Sequence, residues 1–456
     1  MNNPWTITDF LGMISSPPPK ALSEANESKG SLIFTKNMID IKYLLQNPEE
    51  IIENNRHRSA DIDISIVQSL AKDKTTSLQK VEELRRQMNE NAETTRKASP
   101  DQKETFVQEG RNLKDQVKEA EEHLVQLESM LETEIKKYPN LLRADVPVGK
   151  DSDSNEVIRT VNEPTKFNFP IKDHLELGEK LGIIDVERAG KVSGSRFTYI
   201  KGDAALLELA LINYTINTLV KENFIPVFPP HIISTQAMAA MGYLEHGGEE
   251  EIYHLKNDDS VLIGTSEQSI GPMHMDEILP LEKLPLRYAG FSPCYRREAG
   301  SHGRDVRGIL RMHQFDKIEM FSYIEPEKSD QEHEFLLSME EKLMKGLGLP
   351  YRVMKLCSSD LGRPSARTYD IETWVPSQNL YRETHSTSNT TDYQTRRLKI
   401  RYKTAAGKNE LVHALNGTAF AIGRIMIAIL ENNQQADGSI IVPEVLRPWM
   451  GKEKIG

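Results

Sequence analysis

The sequence predicts an α+β chain in which a long antiparallel helical hairpin precedes a body of mixed strands and helices. Three observations carry that expectation. Two apolar seams with heptad-like steps flank one proline-marked turn between about residues 65 and 138. A polar stretch with Pro139 and Pro147, running on to Asn155, then interrupts the pattern. From about residue 170 strand signals mix with helical spacing, and Gly290 to Phe321 reads as strand, loop, strand with arginines at the mouth.

The bulk numbers agree. A length of 456 residues exceeds one ordinary core, so two domains are expected. An apolar content of 38% and a charged content of 27% are those of a soluble globular protein. The most apolar run, Phe420 to Leu430, contains Arg424 and is too short to cross a membrane. Two cysteines, Cys294 and Cys357, exclude a Cys-rich zinc site and fit a reducing, cytoplasmic setting. With a net charge of −11, a nucleic-acid partner needs a local basic patch.

Taken in order, residues 1–37 are Ser-, Pro- and Asn-rich, with no signal-peptide apolar core and no arginine. They read as a disordered or loosely packed extension, neither secretory nor mitochondrial leader. An ordered domain begins at Met38-Ile39-Asp40-Ile41-Lys42 and runs to residue 148. Its second helix carries Phe106, Leu113, Val117, Ala120, Leu124, Leu127, Leu131 and Ile135; its first carries the weaker seam Leu70, Leu78, Val81, Leu84, Met88. Ala98-Ser99-Pro100-Asp101 makes the turn, with Ser99 or Asp101 as the cap. Each arm should be roughly 45–55 Å long at 1.5 Å per residue. Periodicity alone favours a dimerising coiled coil or a plain helical domain. The cations Arg85, Arg86, Arg96, Lys97, Arg111, Lys114 and Lys118 gather towards the turn, which suits a phosphate backbone better than self-pairing.

Residues 149–456 form the second domain. Ala204 to Lys221 has helical spacing. The prolines of Phe224 to Ile232 place that segment on a sheet edge. In the Gly290 to Phe321 stretch, Arg296 and Glu298 lie two apart, so on a strand they point to the same face. Phe315 and Glu319 lie four apart and share a face of the return strand. The loop between holds Gly300, Ser301, His302, Gly303, Arg304, Asp305 and Arg307. A cation, two carboxylates and a flat ring on one floor suit a nucleotide, since guanidinium forks match phosphate oxygens. By composition alone, a surface hairpin with exposed ion pairs is an equal reading.

This stretch resembles motif 2 of the class II aminoacyl-tRNA synthetases, in wording similar to the seryl-tRNA synthetases. The resemblance covers about residues 38–451, including Glu431 to Pro448. It implies a class II antiparallel sheet flanked by helices, with the hairpin gripping the long variable arm of tRNA. It further implies a homodimer about a motif 1 edge strand with Pro230. The implied reaction joins the carboxylate of L-serine to the α-phosphate of ATP, then passes serine to tRNA-Ser; the family also charges the selenocysteine tRNA. Such a reaction needs positioning and charge neutralisation rather than a protein nucleophile.

Residue by residue, the resemblance places Arg296 on the α-phosphate and on serine, with Arg297 beside it. Glu298 meets the adenine amine, Phe315 stacks on adenine, and Arg424 of GTAFAIGRIMIAILEN meets the γ-phosphate. In YRETHSTSN, Glu383, Thr384, His385 and Ser386 line the ATP site, with Glu383 and Ser386 as Mg²⁺ ligands. Thr265, Ser266 and Glu267 hold the serine ammonium, Glu319 takes the hydroxyl, and Asn416 and Thr418 close the pocket. Three departures stand out: His385 where serine is usual, Thr418 for a common serine, and QSIGPMHMDEIL after Glu267. With no second His or Cys at ligand spacing around His385, no zinc is expected. An amino acid:carrier-protein ligase would share this catalytic body but lack the hairpin. A non-catalytic paralogue would have lost members of the set Arg296, Glu298, Glu319, Glu383 and Arg424.

Overall fold

The computed structural model describes residues 40–244, 248–299 and 308–456. The extension 1–37 and the arginine-bearing loop 300–307 lie outside the described residues. The hairpin is formed by α1, Ile64–Lys97, and α2, Pro100–Ile135. At 34 and 36 residues these arms run about 50 Å. Asp63 caps α1 by accepting from the Ser65 amide at 2.9 Å. Ser99 occupies the N-cap of α2 without capping it. Its hydroxyl donates to Gln102 Oε1, and Pro100 instead pre-sets the first turn.

The seam departs from expectation at one point. Leu78 is 42% exposed, and the interface runs through Ser77, Val81 and Leu84 against Val117 and Ala120. Towards the base, Val67 and Leu70 meet Leu127, Leu131 and Ile135 in a cluster that includes Tyr138 and Tyr393.

The body is an eight-stranded sheet. Its strands are β1 Glu156–Val161, β2 Ile225–Val227, β3 Leu286–Tyr295, β4 Gln314–Ile324, β5 Tyr351–Lys355, β6 Arg367–Val375, β7 Leu380–Thr391 and β8 His413–Ala421. Their order is β1-β5-β6-β7-β8-β4-β3-β2. Every pair is antiparallel except the edge pair β2–β3, which is parallel. Helices α3 Asp203–Val220, α4 Ser329–Leu347 and α5 Ile422–Asn432 pack with the sheet into one large apolar cluster. The proline-rich segment does form an edge strand; Pro230 follows it, exposed, and Pro229 is buried.

The base of the hairpin is tied to the body through backbone carbonyls. Buried Arg58 donates to the carbonyls of Ser365 (2.7 Å), Gly362 (2.8 Å) and Leu361 (3.2 Å). Asn140 Nδ2 donates to those of Pro364 and Thr390, both at 2.8 Å.

Candidate active site

Two adjoining cavities open over β4, β7 and β8, with Arg296, Glu298, Arg311, Lys317, Glu383 and Thr418 in their shared wall. The smaller adds Phe315, Gly423 and Arg424. The larger, about 720 Å³, adds Thr265, Glu267, Glu319, Ser386 and Asn416. The sequence-predicted residues therefore converge, with three exceptions described below.

The β3 strand ends at Tyr295, so the alternation argument for Arg296 and Glu298 fails. Both lie beyond the strand, and Glu298 adopts a left-handed φ of 48°. They still face the same cavities, because separate contacts hold them. Arg296 Nε donates to Gly264 O at 3.2 Å, its guanidinium carbon sits 5.4 Å from the Phe315 ring centroid, and its amide donates to His313 O at 3.0 Å. Glu298 lies 3.6 Å from Arg311, and its carbonyl accepts from Arg196.

The strand β7 solves a spacing problem. Glu383 and Ser386 are three apart, which on a regular strand means opposite faces. Glu372 pairs with Glu383 and Ile371 with His385, leaving Thr384 as an extra, unpaired residue. This β-bulge brings Glu383 round to the cavity face with Ser386. Asp370 pairs opposite Ser386 on the same face and was not foreseen. Burial and neighbouring Glu383 hold its carboxyl well above the usual range, and its Oδ1 has no hydrogen-bond partner.

Ser266, His385 and Arg297 are the exceptions. The Ser266 hydroxyl donates to Gly290 O at 3.1 Å and packs into the sheet. A Cβ at 290 would meet Ile270 Cδ1 at 2.4 Å and the Ser266 hydroxyl at 3.0 Å, so any larger residue there requires these side chains to shift. His385 faces the opposite side of the sheet, fully buried, 5.5 Å from the Phe420 ring. Burial pushes its pKa down to about 3. Its replacement of the usual serine therefore leaves the cavity wall unchanged. Arg297 is exposed and lines neither cavity.

Glu267 is buried and accepts three hydrogen bonds: from Tyr243 Oη (2.8 Å), Gln394 Nε2 (2.9 Å) and Asn416 Nδ2 (3.1 Å). Burial, with Glu319 nearby, raises its pKa. Thr265 Oγ1 accepts from the Glu267 amide at 3.3 Å. Glu319, 2% exposed, is paired with Lys317 and accepts from Thr418 Oγ1 at 3.3 Å. Tyr243, Gln394 and Lys317 are functional neighbours that sequence reasoning missed. Lys317 was legible, since it lies midway between Phe315 and Glu319 on one face; the other two reach the site only through the fold.

Arg424 opens α5 and places Nη1 against Glu383 across the smaller cavity. Among the described residues no cluster of three or more His, Cys, Asp or Glu could hold a metal ion on its own. No helix of the described residues is long and apolar enough to cross a membrane.

A mostly antiparallel sheet with an arginine-bearing strand pair, a second arginine opening a following helix and a carboxylate-lined cavity between them defines a class II aminoacyl-tRNA synthetase. The comparisons agree. The model of the tRNA synthetase class II core domain (G, H, P, S and T) matches residues 252–433, and that of the seryl-tRNA synthetase N-terminal domain matches 38–142. Serine–tRNA ligase of Rubrobacter xylanophilus is 41% identical over 420 residues, 92% of this chain and 99% of that protein. That of Treponema denticola is 43% identical over 425 residues, 92% of this chain and 100% of that protein. The crystal structure of seryl-tRNA synthetase from Pyrococcus horikoshii complexed with ATP is 35% identical. It superposes with a TM-score of 0.85, covering 91% of this chain and 99% of that one. The chain belongs to the seryl-tRNA synthetase family.

Proposed function

We propose that this chain is an ATP-dependent serine–tRNA ligase that forms seryl-adenylate from L-serine and ATP and transfers serine to tRNA-Ser. The single observation that carries the reading is the shared wall between the two cavities. A phosphate-binding set (Arg296, Arg311, Arg424) and a set suited to an amino-acid zwitterion (Glu267, Glu319, Thr418) meet along it. The junction is where a substrate carboxylate and an α-phosphate would have to touch. Arg296 neutralises charge developing there, Phe315 receives the adenine and Glu298 its amine. Arg424 takes the far end of the triphosphate. Glu267, held by three donors, receives the serine ammonium with Thr265; Glu319 accepts the hydroxyl.

Mg²⁺ fits this wall. Glu383 and Ser386 share a face, and the Asp370 oxygen beside them is an acceptor without a donor, which a cation could satisfy. Oxygen donors too few for a closed cage suit an ion that keeps waters and leans on phosphate. When bound, it would neutralise phosphate charge; Glu383 and Ser386 would hold it.

The reading divides the chain into a tRNA-gripping domain, 38–148, and a catalytic domain, 149–456. The hairpin argues against a carrier-protein ligase, and the retained charged set against a non-catalytic paralogue. Edge strand β2 with exposed Ile225, Phe228 and Ile232 supports a homodimer. The selenocysteine tRNA belongs to the same substrate class. The test is serine-dependent pyrophosphate exchange compared with threonine, alanine and glycine, followed by charging of tRNA-Ser. Exchange with serine at no higher rate than with the others would overturn the reading.

A further inference from the structure

Lys317 has no role in the reading above, yet it is 7% exposed and lines both cavities. Its ammonium pairs with Glu319 Oε2, the oxygen that also accepts from Thr418. Glu319 Oε1 makes no hydrogen bond among the described residues, while the residue as a whole lines the larger cavity. Buried Glu267 and Glu340 stand within electrostatic reach of Glu319 and of Lys317. Lys317 thus faces three buried carboxylates and contacts one.

A carboxylate that reads a hydroxyl must present one free oxygen in one orientation. Left alone, Glu319 could turn either oxygen inward or swing towards Thr418. With Oε2 occupied twice, only Oε1 remains. We propose that Lys317 is a specificity-determining positioning residue: it fixes Glu319 so that a single oxygen is offered to the substrate hydroxyl. The pair lies at i and i+2 on β4, on one face, so the strand itself sets the geometry. This inference rests on Glu319 as the hydroxyl acceptor.

The experiment compares serine- and alanine-dependent pyrophosphate exchange by the full chain, wild type, Lys317→Met, Glu319→Gln and the double variant. Lys317→Met should raise the KM for serine about tenfold or more and shrink the serine-over-alanine preference by a similar factor. The KM for ATP should stay within about twofold. Adding Glu319→Gln to Lys317→Met should change the preference little, because one oxygen orientation is already lost. A Lys317→Met enzyme with unchanged preference overturns the proposal, as does one that loses kcat with both KM values intact. That last result would place Lys317 on the reacting groups. If Glu319→Gln in the wild-type background leaves the preference unchanged, it is the reading of Glu319 that fails. Should Lys317→Met not fold, Lys317→Arg keeps the charge but displaces Oε2. It should raise the serine KM with ATP unaffected, and an unchanged serine KM overturns the proposal.

Discussion

Arg424 Nη1 lies 3.1 Å from Glu383 Oε1 and donates to the carbonyl of the same residue at 2.9 Å. The arginine that opens α5 and the carboxylate on bulged β7 thus rest on each other across the smaller cavity. A triphosphate with its metal would draw the arginine to phosphate and the carboxylate to the cation. Arg424→Ala is expected to cut pyrophosphate exchange on the order of 10²–10³-fold, as is Arg296→Ala. The Arg424–Glu383 pair is 29% and 51% exposed, so its loss should barely move the thermal midpoint. Exchange at the wild-type rate would remove Arg424 from the site.

Glu319→Ala should relax amino-acid choice more than it harms ATP binding. The lost hydrogen bond is buried and charge-assisted, so serine should lose roughly 1–3 kcal/mol of binding relative to alanine. Competition between the two amino acids in pyrophosphate exchange reads this directly.

On the hairpin, Arg85 is paired with Glu121 at 2.7 Å, Arg86 with Glu83 at 2.7 Å, and Lys118 lies 3.9 Å from Glu122. Arg96, Lys97, Arg111 and Lys114 make no ion pair among the described residues. The latter four should therefore release more counterions on binding tRNA. Their joint replacement by Ala should flatten the slope of log K against log salt by up to about three or four, and replacing Arg85 and Arg86 by less. Excising residues 75–130 with a short turn should leave serine-dependent pyrophosphate exchange within several-fold of wild type and abolish charging. A deletion that still charges tRNA-Ser normally would make the hairpin an oligomerisation device.

Two buried histidines tie stability to pH. His333 Nε2 donates to Thr387 O at 2.9 Å and its Nδ1 accepts from Arg367 at 3.1 Å, which requires the neutral ring. Burial pushes both His333 and His385 from an ordinary 6.5 down to about 3. The sign follows: above pH 6.5 the folded and unfolded rings are both neutral, and below it only the unfolded chain takes up protons. Stability is complete above that point and falls as pH drops towards 3, by up to about 1.4 kcal/mol per unit for each ring. His413, which burial lowers to about 4, adds to this slope, and the raised carboxyls of Glu208, Glu267, Glu340 and Asp370 oppose it, so the difference in urea unfolding between wild type and His333→Gln from pH 7 to 5 isolates the share of one ring.

Arg58→Met should lower the thermal midpoint sharply. It would strand the carbonyls of Leu361, Gly362 and Ser365 in a buried setting, at a cost on the order of 3 kcal/mol. Gly362 and Ser365 also rim the larger cavity, so serine activation should weaken in step. An unaltered melting curve would show that the carbonyls find other partners.

How far the sequence discloses this molecule depends on the range of each signal. The hairpin is legible because its seam repeats locally; only the exposure of Leu78 breaks it. The strand pair around Phe315 and Glu319 is legible because alternation is a short-range rule. The same rule misleads at Glu298, where the strand has already ended, and at Glu383, where a bulge shifts the count. Arg58 and Gln394 carry no signal at all: their partners are carbonyls and a carboxylate more than a hundred residues away.

The bulge at Thr384 has a further consequence, for inheritance. It gives one strand two phases, with the carboxylate of Glu383 in step with the first and the hydroxyl of Ser386 with the second. Deleting the extra residue would restore a single phase and leave the two at a spacing of two, still on one face by simple alternation. Changing His385 to another residue that fills the space against Phe420 would leave both where they are. At this place the shared facing of the pair survives either a different letter or the loss of the extra residue together with its bulge. Lineages should accordingly vary in what stands at 385, and a count shorter by one between Glu383 and Ser386 should occur only where the bulge is lost with it.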